Sequence, residues 1–272
     1  MKTDSPGLHR YAILVAFVAL VTIAAGAIVT SLVRPLAGNS TVSINPAFGF
    51  WHSIVGGLTI VLMLGLAIGL RSQFGWIGLA AGVIDGALGA TGQLYPQLNG
   101  ILHALLGQVF FGYIVAIAIM TSASWKRGPE PIEDTWRPSM TSLAAAIPSI
   151  ILLQTTLGAS YRYHVLGVLW HVMNAMLVLL LILIVALFLI RQFPQHPTLR
   201  PAAVALAVIT SIQVLLGFTT FMMLILFPET SLAVIITSVM HVSTGALTLG
   251  AGMALATLIR YNIRASRSLT GQ

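Results

Sequence analysis

Phe48-Gly49-Phe50-Trp51-His52-Ser53-Ile54-Val55-Gly56-Gly57-Leu58-Thr59 opens an apolar run that meets no charge before Arg71. About 20 such residues are enough for a helix to cross a bilayer. The imidazole of His52 stands in the first turns, and Gly56 follows one turn later on the same helix face. The arrangement returns three times, as His103 with Gly107, His171 with Ala175 and His241 with Gly245. Such a pair suits a flat macrocycle: histidine offers an axial ligand to iron, and a missing side chain lets the ring lie against backbone. Four membrane-embedded imidazoles in one register therefore point to haem.

Composition agrees with a lipid-solvated chain. Of 272 residues, 57% are hydrophobic and 7% charged, and mean hydropathy is +0.96; a soluble surface cannot be built from this. There is no cysteine, which excludes disulfides, thiolate metal sites, iron–sulfur clusters and covalent haem attachment through Cys-x-x-Cys-His. The net charge of +7 is dispersed at segment ends without interleaved stacking aromatics. It marks topology, not a nucleic-acid surface.

Eight stretches are long enough to span: 11–33, 49–70, 74–94, 100–123, 140–160, 165–190, 202–227 and 231–259. The first is too long for a secretory signal and lacks a cleavage site before Arg34, so it reads as a helix. With the N-terminus inside, Lys2, Arg10, Arg71, Lys126, Arg127, Arg137, Arg191, Arg200, Arg260, Arg264 and Arg267 lie on the cytoplasmic side, against only Arg34 and Arg162 outside. The positive-inside rule then puts both termini in the cytoplasm; the membrane expected is a cell's inner (cytoplasmic) one. The Gly/Pro-bearing stretch 126–138 is a cytoplasmic linker between an N-terminal half, 1–125, and a C-terminal half, 139–272.

The halves repeat. The first, third, fifth and seventh spans carry Thr22…Gly26, Asp85…Gly89, Gln154…Gly158 and Gln213…Gly217, and the other four carry the histidines with their small partners. A helical hairpin used four times gives an all-α membrane protein of eight transmembrane helices in two pseudo-symmetric four-helix bundles, related by an axis along the membrane normal. Each histidine lies near the outer end of its helix. Within a half, His52 faces His103 and His171 faces His241, giving one bis-histidine site per bundle.

The plainer readings stand beside this one. A lone intramembrane histidine is usually a hydrogen-bonded core residue, and a zinc site or proton relay uses histidine too, although zinc usually adds carboxylate or thiolate ligands. Small residues also serve any tight helix packing. Arg34 and Arg162 are candidates for haem propionates, with lipid headgroups the alternative. His164, in the Tyr161-Arg162-Tyr163-His164 turn, is a candidate cover for the second site, while His9 and His196 read as solvated or headgroup residues. Asp85 occupies the position of Gln154 and Gln213 and reads as a structural hydrogen-bonding group; Glu229 is a loop acid near the second site. Gly49 and Gly100, three residues before His52 and His103, suggest backbone freedom that would let an axial ligand go.

Taken together, the eight spans, the Gln-x-x-Leu-Gly motifs and the outer-end histidines resemble the heme A synthase family of cytochrome oxidase assembly proteins over nearly the whole chain. The resemblance implies an oxidoreductase that converts the methyl group of haem O to the formyl group of haem A. One half would hold haem b and the other would receive the substrate. His52 and His103 would be the catalytic pair and metal ligands of the N-terminal site, and His171 and His241 the metal ligands of the C-terminal one. The chain departs from the family where a glutamate precedes the first histidine and an arginine follows it: Gly49 and Ser53 stand there. The cysteine pair of some members is also absent.

Three functions are therefore open. A heme A synthase-like enzyme would contain haem O or haem A. A dihaem b-type electron-transfer subunit, taking electrons from quinol or another donor for a respiratory-complex partner, would contain only haem b. A structural module held in lipid without cofactor would purify colourless.

Overall fold

The computed structural model describes residues 6–32, 46–92, 94–135 and 137–264. Its elements are α1 (Pro6–Leu32), α2 (Pro46–Leu70), α3 (Gln73–Ala90), α4 (Pro96–Met120), a single turn α5 (Ala123–Lys126), β1 (Ile132–Glu133), α6 (Met140–Arg162), α7 (Val168–Gln192), α8 (Leu199–Leu226), α9 (Leu232–Asn262) and β2 (Ile263–Arg264). Among the described residues, seven helices are long and apolar enough to cross a membrane. The remaining long helix, α3, has 18 residues and carries Asp85. Helices are the form expected where no water is present to satisfy backbone N–H and C=O groups. Their outward faces keep large apolar side chains exposed, among them Phe17, Val61, Leu169 and Leu215, as lipid contact allows.

Each of α1, α2, α3 and α4 touches the next, and α4 returns to α1; α6 to α9 do the same, with α9 returning to α6. α4 packs on α9 and α6, and α1 on α9. The α4–α9 approach is close because glycines face it. A Cβ on Gly250 would stand 2.8 Å from the Phe111 ring, and one on Gly112 3.1 Å from Met253.

The buried cores lie towards one end. In the first helices Ala12, Val15 and Ala19 meet Met63, Leu66, Ile114 and Ile117; in the second set Ile147 and Ile151 meet Val178, Ile182, Leu206 and Leu255. Along each helix these positions are displaced from the histidines, so the solid packing leaves the histidine end for a cavity.

The stretch read as a linker is laced into the bundle end. β1 pairs in parallel with β2, Ile132 opposite Ile263, and Ile132 is buried. Trp125 stacks on Tyr261 with ring centres 3.7 Å apart, and Asn262 Oδ1 accepts from the Glu130 N–H at 2.8 Å. His196 is not simply solvated: its Nδ1 accepts from the N–H of Leu199 at 3.2 Å, closing the start of α8, while Nε2–H donates to the Glu130 carbonyl. His9 likewise donates from Nδ1 to the Ala118 carbonyl at 3.0 Å, fastening α1 to α4. Neither is merely a solvated or headgroup residue: His9 fastens α1 to α4, and His196 ties the segment before β1 to the start of α8.

Candidate paired-imidazole site

His52 on α2 and His103 on α4 come together with ring centres 6.0 Å apart and planes at 74°. His171 on α7 and His241 on α9 repeat the arrangement at 6.1 Å and 88°. A metal–imidazole bond is about 2 Å long and a ring centre lies about 1 Å beyond its nitrogen, so two imidazoles facing across one iron have centres roughly 6 Å apart. Both pairs have that separation.

The first, third, fifth and seventh long helices hold the rings in place. In a helix the carbonyl of residue i points towards residue i+4, and glycine there removes the Cβ that would fend off an approaching side chain. Gly26, Gly89, Gly158 and Gly217 occupy these positions, and a Cβ on them would stand 3.0, 3.1, 2.8 and 2.9 Å from Cε1 of His52, His103, His171 and His241 respectively. The repeated motif is thus a seat for imidazole. This role went unread in the sequence, although the motif itself was its signal.

Over the seat, Nδ1 meets the polar residue of the motif. His103 Nδ1–H is shared between the Asp85 carbonyl at 3.0 Å and Asp85 Oδ1 at 2.8 Å. His241 Nδ1 lies 3.2 Å from the Gln213 carbonyl. At His171 the Gln154 amide nitrogen stands 3.0 Å from Nδ1 and donates to the His171 carbonyl, while Asn174 holds Gln154 Oε1 at 2.8 Å. His52 Nδ1 is buried against the Thr22 backbone, with no side chain bonded to it among the described residues. The Thr22 hydroxyl is engaged with Val18 and Thr59 instead. Metal-bound histidines commonly have the other ring nitrogen fixed by a carbonyl or carboxylate, and His103 and His241 meet that requirement through Nδ1.

The small residues one turn after each histidine line the same cavity as the rings, but their immediate neighbours differ from the expectation. A Cβ on Gly107 would meet Asp85 Oδ2 at 3.2 Å, one on Gly245 the Gln213 amide at 3.1 Å, and one on Gly56 the Thr22 methyl at 3.7 Å. Gly107 and Gly245 make room for the polar residue of the motif, whereas a Cβ on Gly56 would be in ordinary contact. Ala175 also lines the cavity.

That cavity measures about 1210 Å³ and runs past both histidine pairs. It exceeds the roughly 300–1,000 Å³ usual for one small ligand. Among its lining residues, Gln108 Oε1 and Gln213 Oε1 are buried with no hydrogen-bond partner among the described residues. Orphaned acceptors of this kind normally mark a missing water or ligand. Paired imidazoles at iron-bridging distance, a cradle without Cβ atoms and a roomy apolar cavity fit haem; the described residues contain no group of three or more His, Cys, Asp or Glu side chains arranged for a bare metal ion.

The other expected residues fall as follows. Arg162 lines the cavity and reaches α1, donating from Nη2 to the Ala27 carbonyl at 3.0 Å and to Ser31 Oγ at 2.7 Å. Arg34 lies outside the described residues. His164 is exposed with φ 58°, forming the turn after α6, and does not line the cavity; its covering role is corrected to a backbone one. Glu229 lines the cavity and is exposed. Gly100 is not a point of freedom, because a Cβ there would fall within the Tyr163 ring, whereas a Cβ on Gly49 would meet none of the described residues within 4 Å. Asp85 does make the hydrogen bond expected of it, and its partner is the candidate ligand His103.

No family model matches the chain, and no curated protein matches it.

Proposed function

We propose that the chain is a dihaem membrane oxidoreductase of the heme A synthase type, with one haem held by His52 and His103 and a second by His171 and His241. The observation that carries this reading is the recurrence of an imidazole pair at 6.0 and 6.1 Å over a glycine seat in each set of four helices. In this reading α1–α4 and α6–α9 are two four-helix bundles joined by residues 126–138, and the sites lie towards the outer face of the inner membrane.

Bound haem would supply reversible one-electron chemistry and, with dioxygen as the oxidant and the donor's electrons reducing its second oxygen atom to water, oxidation of a methyl group. The protein's part is placement. Gly26, Gly89, Gly158 and Gly217 admit the imidazoles, the motif carbonyls orient Nδ1 at His103 and His241, and the apolar helix walls exclude water. Gly56, Gly107, Ala175 and Gly245 line the space beside the macrocycle. Arg162, and Arg34 in the first outer loop, are the cationic partners proposed for propionates. Electrons would come from quinol or another membrane donor, and the product would pass to cytochrome oxidase assembly.

A dihaem b electron-transfer subunit of a respiratory complex is the second reading. It is favoured by Gly49 and Ser53 standing where the family's glutamate and arginine flank the first histidine. Pigment extraction after expression with and without a haem O source separates the two. Haem A or hydroxylated haem O supports the enzyme; haem b alone under both conditions supports electron transfer and overturns the synthase reading.

A further inference from the structure

The four imidazoles do not have equal surroundings. His103 alone has a carboxylate on Nδ1, from Asp85 at 2.8 Å; His241 has the Gln213 carbonyl, His171 the Gln154 amide nitrogen and backbone, and His52 only the Thr22 backbone. A carboxylate on the far nitrogen increases the basicity of a metal-bound imidazole and fixes its orientation. In a low-dielectric interior that hydrogen bond is strengthened further.

Backbone support is unequal in the same sense. The start of α4 is clamped: Asn99 is buried and donates from Nδ2 to the Thr91 carbonyl at 2.9 Å, and the Tyr163 ring fills the space over Gly100. The start of α2 has less support among the described residues: none comes within 4 Å of a Cβ on Gly49, and Phe50 and Trp51 are 62% and 59% exposed.

We propose that the N-terminal pair is a one-sided axial set, in which His103 is the anchored ligand, His52 is the ligand that gives way to a small neutral donor, and Asp85 is the positioning residue that sets the difference. This rests on the haem reading above. In the exchange the Nε2 lone pair of His52 leaves the iron and the lone pair of the incoming donor replaces it; no electron or proton is transferred. The vacated position faces α2, so that is the side on which the N-terminal site would admit a reactant.

The test uses the full chain with His171→Ala and His241→Ala, loaded with haemin and titrated with carbon monoxide after reduction. His52→Ala should keep the haem and raise carbon monoxide affinity by about tenfold or more, whereas His103→Ala should lower haem retention by more than the roughly 10–100-fold that loss of an outer-shell partner costs. Asp85→Asn, which preserves shape, should raise the midpoint potential, and Asp85→Glu should restore it. In the otherwise unmodified chain, only half of the haem should respond to carbon monoxide. Equal haem loss from His52→Ala and His103→Ala, or a potential indifferent to Asp85, would overturn this inference and leave the haem reading intact. Absence of any Soret band in the unmodified chain would overturn both.

Discussion

The imidazole of His171 lies so close over Gly158 that a Cβ on the glycine would stand 2.8 Å from Cε1. Backbone on one helix and ring on the next are in contact with no space for a methyl group between them. The same relationship joins Gly217 to His241 at 2.9 Å, so the second imidazole pair is set by two glycines.

Gly158→Val should therefore displace His171 and empty the C-terminal site. Overpacking of this kind costs about 1–3 kcal/mol, so the helices should remain folded. Haem content should fall by about one equivalent per chain while far-ultraviolet circular dichroism is retained. Full haem content in this variant would show that the seat is not needed.

The ring planes, at 74° and 88°, are close to perpendicular. Two axial imidazoles so oriented leave the iron orbitals nearly degenerate, and the ferric protein should give a highly anisotropic low-spin electron paramagnetic resonance signal. A rhombic signal typical of parallel ligand planes would contradict the observed ring geometry.

At the start of α6, Asp134 Oδ1 accepts from the Met140 N–H at 2.7 Å, and Oδ2 accepts from Thr141. Slight burial pushes the Asp134 carboxyl up, but these donors and Arg137 outweigh it and hold the group below the usual carboxylate range. A depressed folded value means that the stabilisation is present above the unfolded pKa and disappears as pH falls through the folded one. Amide exchange at Met140 and Thr141 should accelerate on acidification over that range, relative to the helix interior. Asp134→Ala should remove the pH dependence, and its persistence would exclude Asp134 as the cause.

Tyr163 occupies the space over Gly100, joining the end of α6 to the start of α4. Gly100→Val should lower thermal stability by about 1–3 kcal/mol through overpacking. Tyr163→Ala, which removes the ring, should recover part of the loss in the same chain. Additive destabilisation by the two substitutions would show that they do not share this contact.

The helices were legible because apolar spans announce themselves by length: among the described residues seven of the eight stretches correspond to helices long and apolar enough to cross a membrane, while 74–94 corresponds to the 18-residue α3. Thr91 and Gly92 turn the chain after Ala90, ending α3 before residue 94. The meeting of His52 with His103 and of His171 with His241 was also readable, since alternate spans run in the same direction and carry the histidine at the same depth. Their Nδ1 surroundings were not, because a backbone carbonyl has no letter in the sequence. Gly26, Gly89, Gly158 and Gly217 were visible as a repeat, but which side chain would use the vacancy depended on helix rotation. Gly100 was misread for the same reason: Tyr163, far along the chain, fills its space. His9 and His196 were misread because polar residues at helix ends look solvated until the neighbouring helix is placed.

The most direct measurement of the central claim is haem stoichiometry in four forms of the purified chain, read as pyridine haemochrome per protein. The unmodified chain should hold two haems; His52→Ala with His103→Ala should hold one, His171→Ala with His241→Ala one, and the fourfold variant none. A colourless unmodified chain, or haem that persists when all four imidazoles are gone, would contradict the account.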